Sequence, residues 1–62
     1  MYLFKDLDLK INKSKASKII GCERSYLSLI LNRKRSCSKM LAYCITKYID
    51  AEKEILDYFE RV

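Results

Sequence analysis

The chain has 62 residues, of which 50% are hydrophobic and 34% charged, and its net charge is +5. This length allows a single domain, residues 1–62, with a small core, and the hydrophobic fraction excludes an intrinsically disordered chain. With no proline and one glycine, the sequence lacks the residues that usually separate β-strands. We therefore predict an all-α fold, a compact bundle of about five short helices.

The cysteines, together with the missing histidines, exclude several kinds of site. Cys22, Cys37 and Cys44 have no CxxC spacing, and no histidine is present, so the usual zinc-ligand patterns are absent. No cysteine has an evident base beside it, and no pair of carboxylates marks a catalytic cleft. We therefore expect no enzyme activity, no catalytic residues, no metal and no cofactor. Reduced thiols, no signal-peptide pattern and no apolar run of about 18 residues predict a cytoplasmic protein without a membrane partner.

Positive charge is concentrated in the middle of the chain. Residues 12–47 carry nine cationic side chains against Glu23 alone, a net charge of +8, whereas residues 48–62 carry five acids against two cations. The nine cations are Lys13, Lys15, Lys18, Arg24, Arg33, Lys34, Arg35, Lys39 and Lys47. Solubility alone does not explain this segregation, so the charge pattern predicts a polyanionic partner.

The basic segment also has the pattern of two short helices joined by a tight turn. The apolar positions, spaced as on one helix face, are Ala16, Ile19 and Ile20 in the first helix and Leu27, Ile30 and Leu31 in the second. Asn12, with Ser14 as competitor, is the predicted N-cap of the first helix. Gly21 can take the positive φ that reverses the chain, and Asn32 is expected to end the second helix in the left-handed conformation. This arrangement predicts a helix-turn-helix.

The outward side of the second helix carries mostly small polar residues. On a helical wheel this side contains Ser25, Ser28, Leu29 and Asn32, with Arg24 and Tyr26 on its flanks. Small polar side chains allow a close approach to a groove wall, and Arg24 can reach a base edge or a phosphate. Leu29 fits either a thymine methyl or a protein interface. Lys13 lies in the first turn of the helix before Gly21. Lys13 and the cations Arg33, Lys34 and Arg35 are predicted to bind phosphates.

Both ends of the chain are also predicted to be helical. An N-terminal helix is expected from residue 2 to about residue 9, with the apolar positions Leu3, Phe4 and Leu7. The last helix is expected to follow Asp50 as its N-cap, with the apolar stripe Ala51, Ile55, Tyr58, Phe59 and Val62. This stripe either closes the core of its own chain or pairs with a second copy.

One more helix is predicted between the basic motif and the acidic C-terminal segment. Ser36 or Ser38 is expected to cap it, and it should run to about Ile49. Met40 and Tyr43 lie one turn apart on its outer side. Exposed residues of these types are common singly, and a pair of them can also form a contact patch.

The run from Gly21 to Arg35, GCERSYLSLILNRKR, resembles the Cro/C1-type helix-turn-helix of phage repressors and related bacterial regulators. In that family the stretch reads glycine, valine, serine, several variable residues, Ile-Ser, an apolar position and then Asn-Gly-Lys. The matching positions outside this run are Asn12, Lys13, Ala16, Ser17, Ile20, Ser38, Leu41, Ala42 and Ile45. The resemblance covers about 40 residues of the chain.

The resemblance implies a lambda-repressor-like fold that reads operator DNA with the helix around residues 24–31. It implies contacts with bases or nearby phosphates at Arg24, Ser25, Ser28 and Leu29, and contacts with the DNA backbone at Lys13, Asn32, Arg33, Lys34 and Arg35. The chain departs from the family pattern at several positions. Cys22 and Glu23 replace Val-Ser, Lys13 replaces glutamine, Arg33 replaces the glycine, and Leu29 replaces a common polar residue.

Two functions are therefore considered. The first is a DNA-binding transcriptional regulator of a phage-type genetic switch in a bacterial host cell. Its partner would be double-stranded DNA, and a homodimer would bind half-sites about 10 bp apart. The alternative is an antirepressor, a temperate-phage modulator of repression that forms a hetero-complex with the phage repressor protein. Its interface would contain Tyr26, Leu29, Met40 and Tyr43.

Overall fold

The computed structural model describes residues 1–5 and 10–62 of the chain. Its elements, in chain order, are β1 (Tyr2–Phe4), α1 (Lys13–Ile20), α2 (Arg24–Leu31), α3 (Lys39–Ile49), α4 (Ile55–Tyr58) and β2 (Phe59–Arg61). The prediction of an all-α bundle is therefore wrong, because the described residues form four helices and a two-stranded antiparallel sheet. Within these residues no helix is long and apolar enough to cross a membrane.

The sheet joins the two ends of the chain. β1 pairs with β2 in the register Tyr2 to Arg61, Leu3 to Glu60 and Phe4 to Phe59. On its other side β1 meets Cys37, since Tyr2 and Cys37 exchange two backbone hydrogen bonds of 2.8 Å. The rings of Phe4 and Phe59 are buried and pack edge to face, with centroids 5.2 Å apart, which is a favourable geometry for aromatic pairs. The sheet is thus anchored in the core by one aromatic residue from each strand.

The prediction of a first helix is wrong over residues 2–4, which form β1. Tyr2 and Phe4 are of the aromatic types that favour strands. Pairing with β2 and Cys37 supplies the backbone hydrogen bonds that a helix would otherwise provide. Leu7, the third apolar position of the predicted helix, lies outside the described residues.

The prediction of a last helix is wrong over most of its length. Asp50 lies at the C-terminal end of α3 and not at the start of another helix, and α4 has only 4 residues. The chain then becomes extended and carries Phe59 into the core, while Ala51 and Val62 remain exposed. The predicted apolar stripe does not form, because Phe59 belongs to a strand and not to a helix. In a strand the side chains alternate between the two faces, and Phe59 lies on the face toward the core.

α1 and α2 confirm the two central helices of the prediction. Asn12 caps α1, because its side-chain oxygen accepts a hydrogen bond of 3.1 Å from the N–H of Lys15. Gly21 follows α1 with a φ of 89°, and its N–H donates to the carbonyl of Ser17 at 2.8 Å. α2 begins directly after Glu23. Residues 21–23 therefore form the short turn that a helix-turn-helix requires.

Replacing Gly21 by valine is expected to lower the free energy of unfolding by about 1–2 kcal/mol, because the left-handed backbone penalises a branched side chain. A Cβ at this position would meet no atom within 4 Å, so the loss comes from the backbone conformation and not from a clash. Gly21→Asn is the matched control, since asparagine tolerates this conformation better. Thermal unfolding followed by circular dichroism measures both variants. Equal melting temperatures for the wild type and Gly21→Val would contradict this account of the turn.

α3 confirms the helix predicted to run to about Ile49. Of the two proposed caps, Ser38 is the one used, because its hydroxyl oxygen accepts a hydrogen bond of 3.3 Å from the N–H of Leu41. The inner side of α3 reaches the core through Ala42 and Ile45, which are buried.

The core lies between α1, α2, α3 and the sheet. Its buried apolar residues are Phe4, Ala16, Leu27, Ile30, Cys37, Ala42, Ile45 and Phe59. Thr46 of α3 is also fully buried, and its hydroxyl is the one buried side-chain group of the described residues that has no hydrogen-bond partner. Burying such a group without a partner costs stability.

Replacing Thr46 by valine is therefore expected to raise the free energy of unfolding by about 1 kcal/mol, equivalent to a melting temperature higher by about 4–8 °C. Ser17→Ala is the matched control. Ser17 is also buried, but its hydroxyl donates to the carbonyl of Ser14 at 2.9 Å, so its removal should lower stability. Both effects are read from thermal unfolding curves. A lower melting temperature for Thr46→Val would mean that its hydroxyl is satisfied in solution.

Candidate nucleic-acid interface

α2 turns one side to the core and the other to solvent. Leu27 and Ile30 are buried, whereas Arg24, Ser25 and Leu29 are exposed. This is the division that the helical wheel predicts. The residues expected to meet DNA are therefore accessible along one side of a helix whose opposite side is fixed by the core.

Lys13, Ser28 and Asn32 meet where α1 and α2 approach each other. The ammonium group of Lys13 donates to the hydroxyl oxygen of Ser28 over 3.5 Å, and the side-chain amide of Asn32 donates to the same oxygen over 3.4 Å. Both distances are long for hydrogen bonds, so these donors can exchange the hydroxyl for a stronger acceptor. A phosphate oxygen bound here would meet an ammonium, a hydroxyl and an amide.

The end of α2 differs from the prediction. Asn32 has a φ of −93°, and Arg33 is the residue that takes the left-handed conformation, with a φ of 60°. The N–H of Arg33 donates to the carbonyl of Ile30 at 3.1 Å, and that of Lys34 donates to the carbonyl of Leu29 at 2.8 Å. These bonds satisfy carbonyls at the helix end. A positive φ costs an arginine about 1–2 kcal/mol relative to glycine.

The side chain of Arg33 is held by the sheet. Its guanidinium donates to the carbonyl of Phe4 at 3.0 Å and lies 3.5 Å from the carboxylate of Glu60. Because both charged side chains are substantially exposed, the ion pair contributes only about 0.2–1 kcal/mol to the stability of the fold. The loop after α2 is nevertheless tied to both strands. Sequence reasoning missed this contact because it placed Glu60 in a helix.

Arg35 and Tyr26 form a second contact beside α2. The guanidinium of Arg35 lies 5.5 Å from the centroid of the Tyr26 ring, which is a cation–π geometry. Tyr26 is half-buried, so its ring supports Arg35 and offers little free apolar surface of its own. The guanidinium of Arg35 is thereby held beside the first turn of α2, although Arg35 follows the helix in sequence.

The four residues predicted for a protein interface lie on two helices. Tyr26 and Leu29 belong to α2, while Met40 and Tyr43 belong to α3. Leu29, Tyr43 and Met40 are 39%, 47% and 76% exposed. A protein partner therefore has apolar side chains available on each of these helices.

The three cysteines are free thiols. Burial raises the pKa of the Cys37 thiol to about 11, and burial also raises the pKa of Cys22. Both thiols stay protonated near neutral pH, which disfavours nucleophilic or metal-ligand roles. Across residues 1–5 and 10–62, no group of three His, Cys, Asp or Glu side chains is placed to hold a metal ion.

Comparison of the chain with protein-family models, curated proteins and solved structures gives no significant match. The resemblance to Cro/C1-type regulators thus rests on the residues quoted above. A fold alone does not define a function, so the geometry around α2 is the relevant evidence for function.

Proposed function

We propose that the chain is a DNA-binding transcriptional regulator, acting in the cytoplasm of a bacterial cell as part of a phage-type genetic switch. In this proposal α2 enters the major groove of operator DNA. The observation that carries the proposal is the meeting of Lys13 of α1 with Ser28 and Asn32 beside the accessible side of α2, the helix that follows a short glycine turn. Duplex DNA presents phosphates and base edges, which are the groups that such donors bind.

Three cations supply the phosphate contacts in this proposal. Lys13 lies beside the middle of α2, Lys34 follows its C-terminal end, and the guanidinium of Arg35 lies over the ring of Tyr26 in its first turn. Cations thus lie beside the middle and both ends of α2, as expected for a helix that approaches phosphate backbones. Arg33 contributes less, because its guanidinium is engaged with β1 and β2.

Base contacts come from the exposed side of α2. Arg24 can form two hydrogen bonds with a guanine edge, while Ser25 and Ser28 can donate to or accept from several bases. Leu29 can contact only a thymine methyl. We therefore assign most of the sequence discrimination to Arg24.

The exposure of Leu29 favours a second candidate function. An apolar side chain that is 39% exposed on the outer side of α2 also fits a contact with another protein. In the antirepressor alternative, Leu29 is the anchor that holds a phage repressor protein, and binding of DNA is secondary.

Alanine substitutions at Arg24 and Leu29 separate the two functions. For a DNA-binding regulator, Arg24→Ala is expected to lose about 1–3 kcal/mol of operator affinity, because a bidentate base contact disappears, while Leu29→Ala stays nearly neutral. Operator DNA is first selected from a random duplex library, and affinities are then measured by fluorescence anisotropy.

For an antirepressor the pattern is reversed. Leu29→Ala should lose about 2 kcal/mol or more of affinity for the purified repressor in calorimetry, because a buried anchor is truncated, and Arg24→Ala should matter little there. Circular dichroism confirms the fold of both variants. If neither substitution changes either binding event, α2 is not the functional surface and both proposals fail.

A further inference from the structure

A second surface with the character of a binding site lies between α1 and α3. It is an open groove of about 390 Å³ lined by Ile19, Ile20, Tyr43, Cys44, Lys47 and Tyr48. Ile19 is 61% exposed although its spacing placed it on the inner face of α1, and Tyr43 is exposed as well. Apolar side chains that line a groove and remain this exposed mark an interaction surface.

Lysine side chains flank this groove. Lys15 precedes Ile19 by four residues on α1, and Lys39 precedes Tyr43 by four residues on α3, so each shares a helix face with a residue that lines the groove. Lys47 lines the groove itself, with its ammonium 5.4 Å from the ring centroid of Tyr43. An occupant that carries an apolar side chain with acids beside it would match both the apolar lining of this groove and the positive charge around it.

The chain itself presents such an apolar side chain on α4. Leu56 is 59% exposed, and the acids Glu54 and Asp57 beside it are exposed too. The carbonyl of Leu56 accepts a hydrogen bond of 2.6 Å from the ammonium of Lys5, which links the backbone of α4 to the residue after β1. The N–H of Glu54 also donates to the carboxylate of Asp57 at 2.8 Å, which stiffens the turn that carries the leucine.

We propose that the groove between α1 and α3 receives Leu56 of a second copy of the chain. A leucine flanked by acids meets an apolar groove flanked by lysines, so apolar character and charge both match. The groove and the leucine are different surfaces, so the contact is head to tail, and each added copy brings a new free groove or leucine.

The contact leaves α2 free. None of the residues proposed to meet DNA lines the groove, so copies can associate while each keeps its own DNA contacts. The self-association does not rest on the proposed function, and it is tested without DNA.

Sedimentation velocity of the full chain at concentrations up to about 1 mM tests the proposal. The variant Ile19→Gln makes the groove polar, and the variant Leu56→Gln replaces the leucine that is proposed to enter it. Each variant is expected to weaken self-association by at least about tenfold. Val62→Gln is the matched control, because Val62 is equally exposed, at 64%, and lies on neither surface. Circular dichroism verifies that all three variants fold.

Mixing the two variants provides the decisive result. The Leu56→Gln chain keeps its groove and the Ile19→Gln chain keeps its leucine, so the mixture should form a 1:1 dimer although neither variant associates alone. A wild type that stays monomeric up to about 1 mM overturns the proposal. It is equally overturned if the mixture fails to associate, or if Leu56→Gln associates as well as the wild type.

Discussion

Replacing Phe59 by alanine is expected to unfold the domain at 37 °C. Phe59 is fully buried, and its ring packs edge to face on Phe4, so truncation should cost about 3–5 kcal/mol. At about 0.05–0.15 kcal/mol per residue, the whole domain has only about 3–9 kcal/mol of stability. The loss of one aromatic residue is therefore comparable to the total. The measurement is the circular dichroism melting curve.

Leu56→Ala is the control for Phe59→Ala. Leu56 is apolar and close in sequence but exposed, so its truncation should leave the melting temperature nearly unchanged. The comparison tests whether Phe59 closes the core, because the two residues are both apolar and differ in burial. A Phe59→Ala variant that melts within a few degrees of the wild type would show that β2 does not close the core.

The three longer helices could be predicted from the sequence because their signals are local. Asn12 and Ser38 mark the starts of α1 and α3 as side-chain caps, and Gly21 marks the turn between α1 and α2. Each of these signals acts within about four residues of itself, which is the range that a periodicity argument covers.

The sheet could not be predicted in this way. Each strand has 3 residues, too few to show an alternation of apolar and polar positions, and the two strands lie at opposite ends of the chain. The apolar residues of the last segment also fit a helical stripe, so periodicity favoured the wrong element. What decided the outcome was tertiary packing of Phe59 against Phe4, which local patterns do not contain.

The candidate site was predictable in part, because some of its signals are local, as they are for the three longer helices. Ser28, Leu29 and Arg24 were assigned from the spacing of one helix, and their accessibility follows from it. The contact of Arg33 with Glu60 was not predictable, because the partner is distant in sequence and belongs to a strand that was missed. Ile19 was misassigned to the inner face because it lies at the edge of the apolar side of a short helix.

The dependence of DNA binding on salt tests the central claim of the proposed function. With phosphate contacts from Lys13, Lys34 and Arg35, the slope of log K against log salt is expected to be about −2.7, at about −0.9 per contact. Affinity should then fall roughly 40-fold between about 50 and 200 mM salt.

Lys34→Ala and Lys53→Ala make this experiment specific to the proposed interface. Lys34→Ala is expected to flatten the slope by about 0.9 and to weaken all sequences alike, because it removes one phosphate contact. Lys53 lies in the acidic segment between α3 and α4, so Lys53→Ala should leave the slope unchanged.

The most direct test is therefore the salt slope of the wild type and these two variants, measured by fluorescence anisotropy on a duplex of about 20 bp that holds the selected operator. A slope near −2.7 that changes with Lys34→Ala and not with Lys53→Ala is the result expected for a DNA-binding regulator. A slope near zero, or no binding to any duplex at about 50 mM salt, would contradict it.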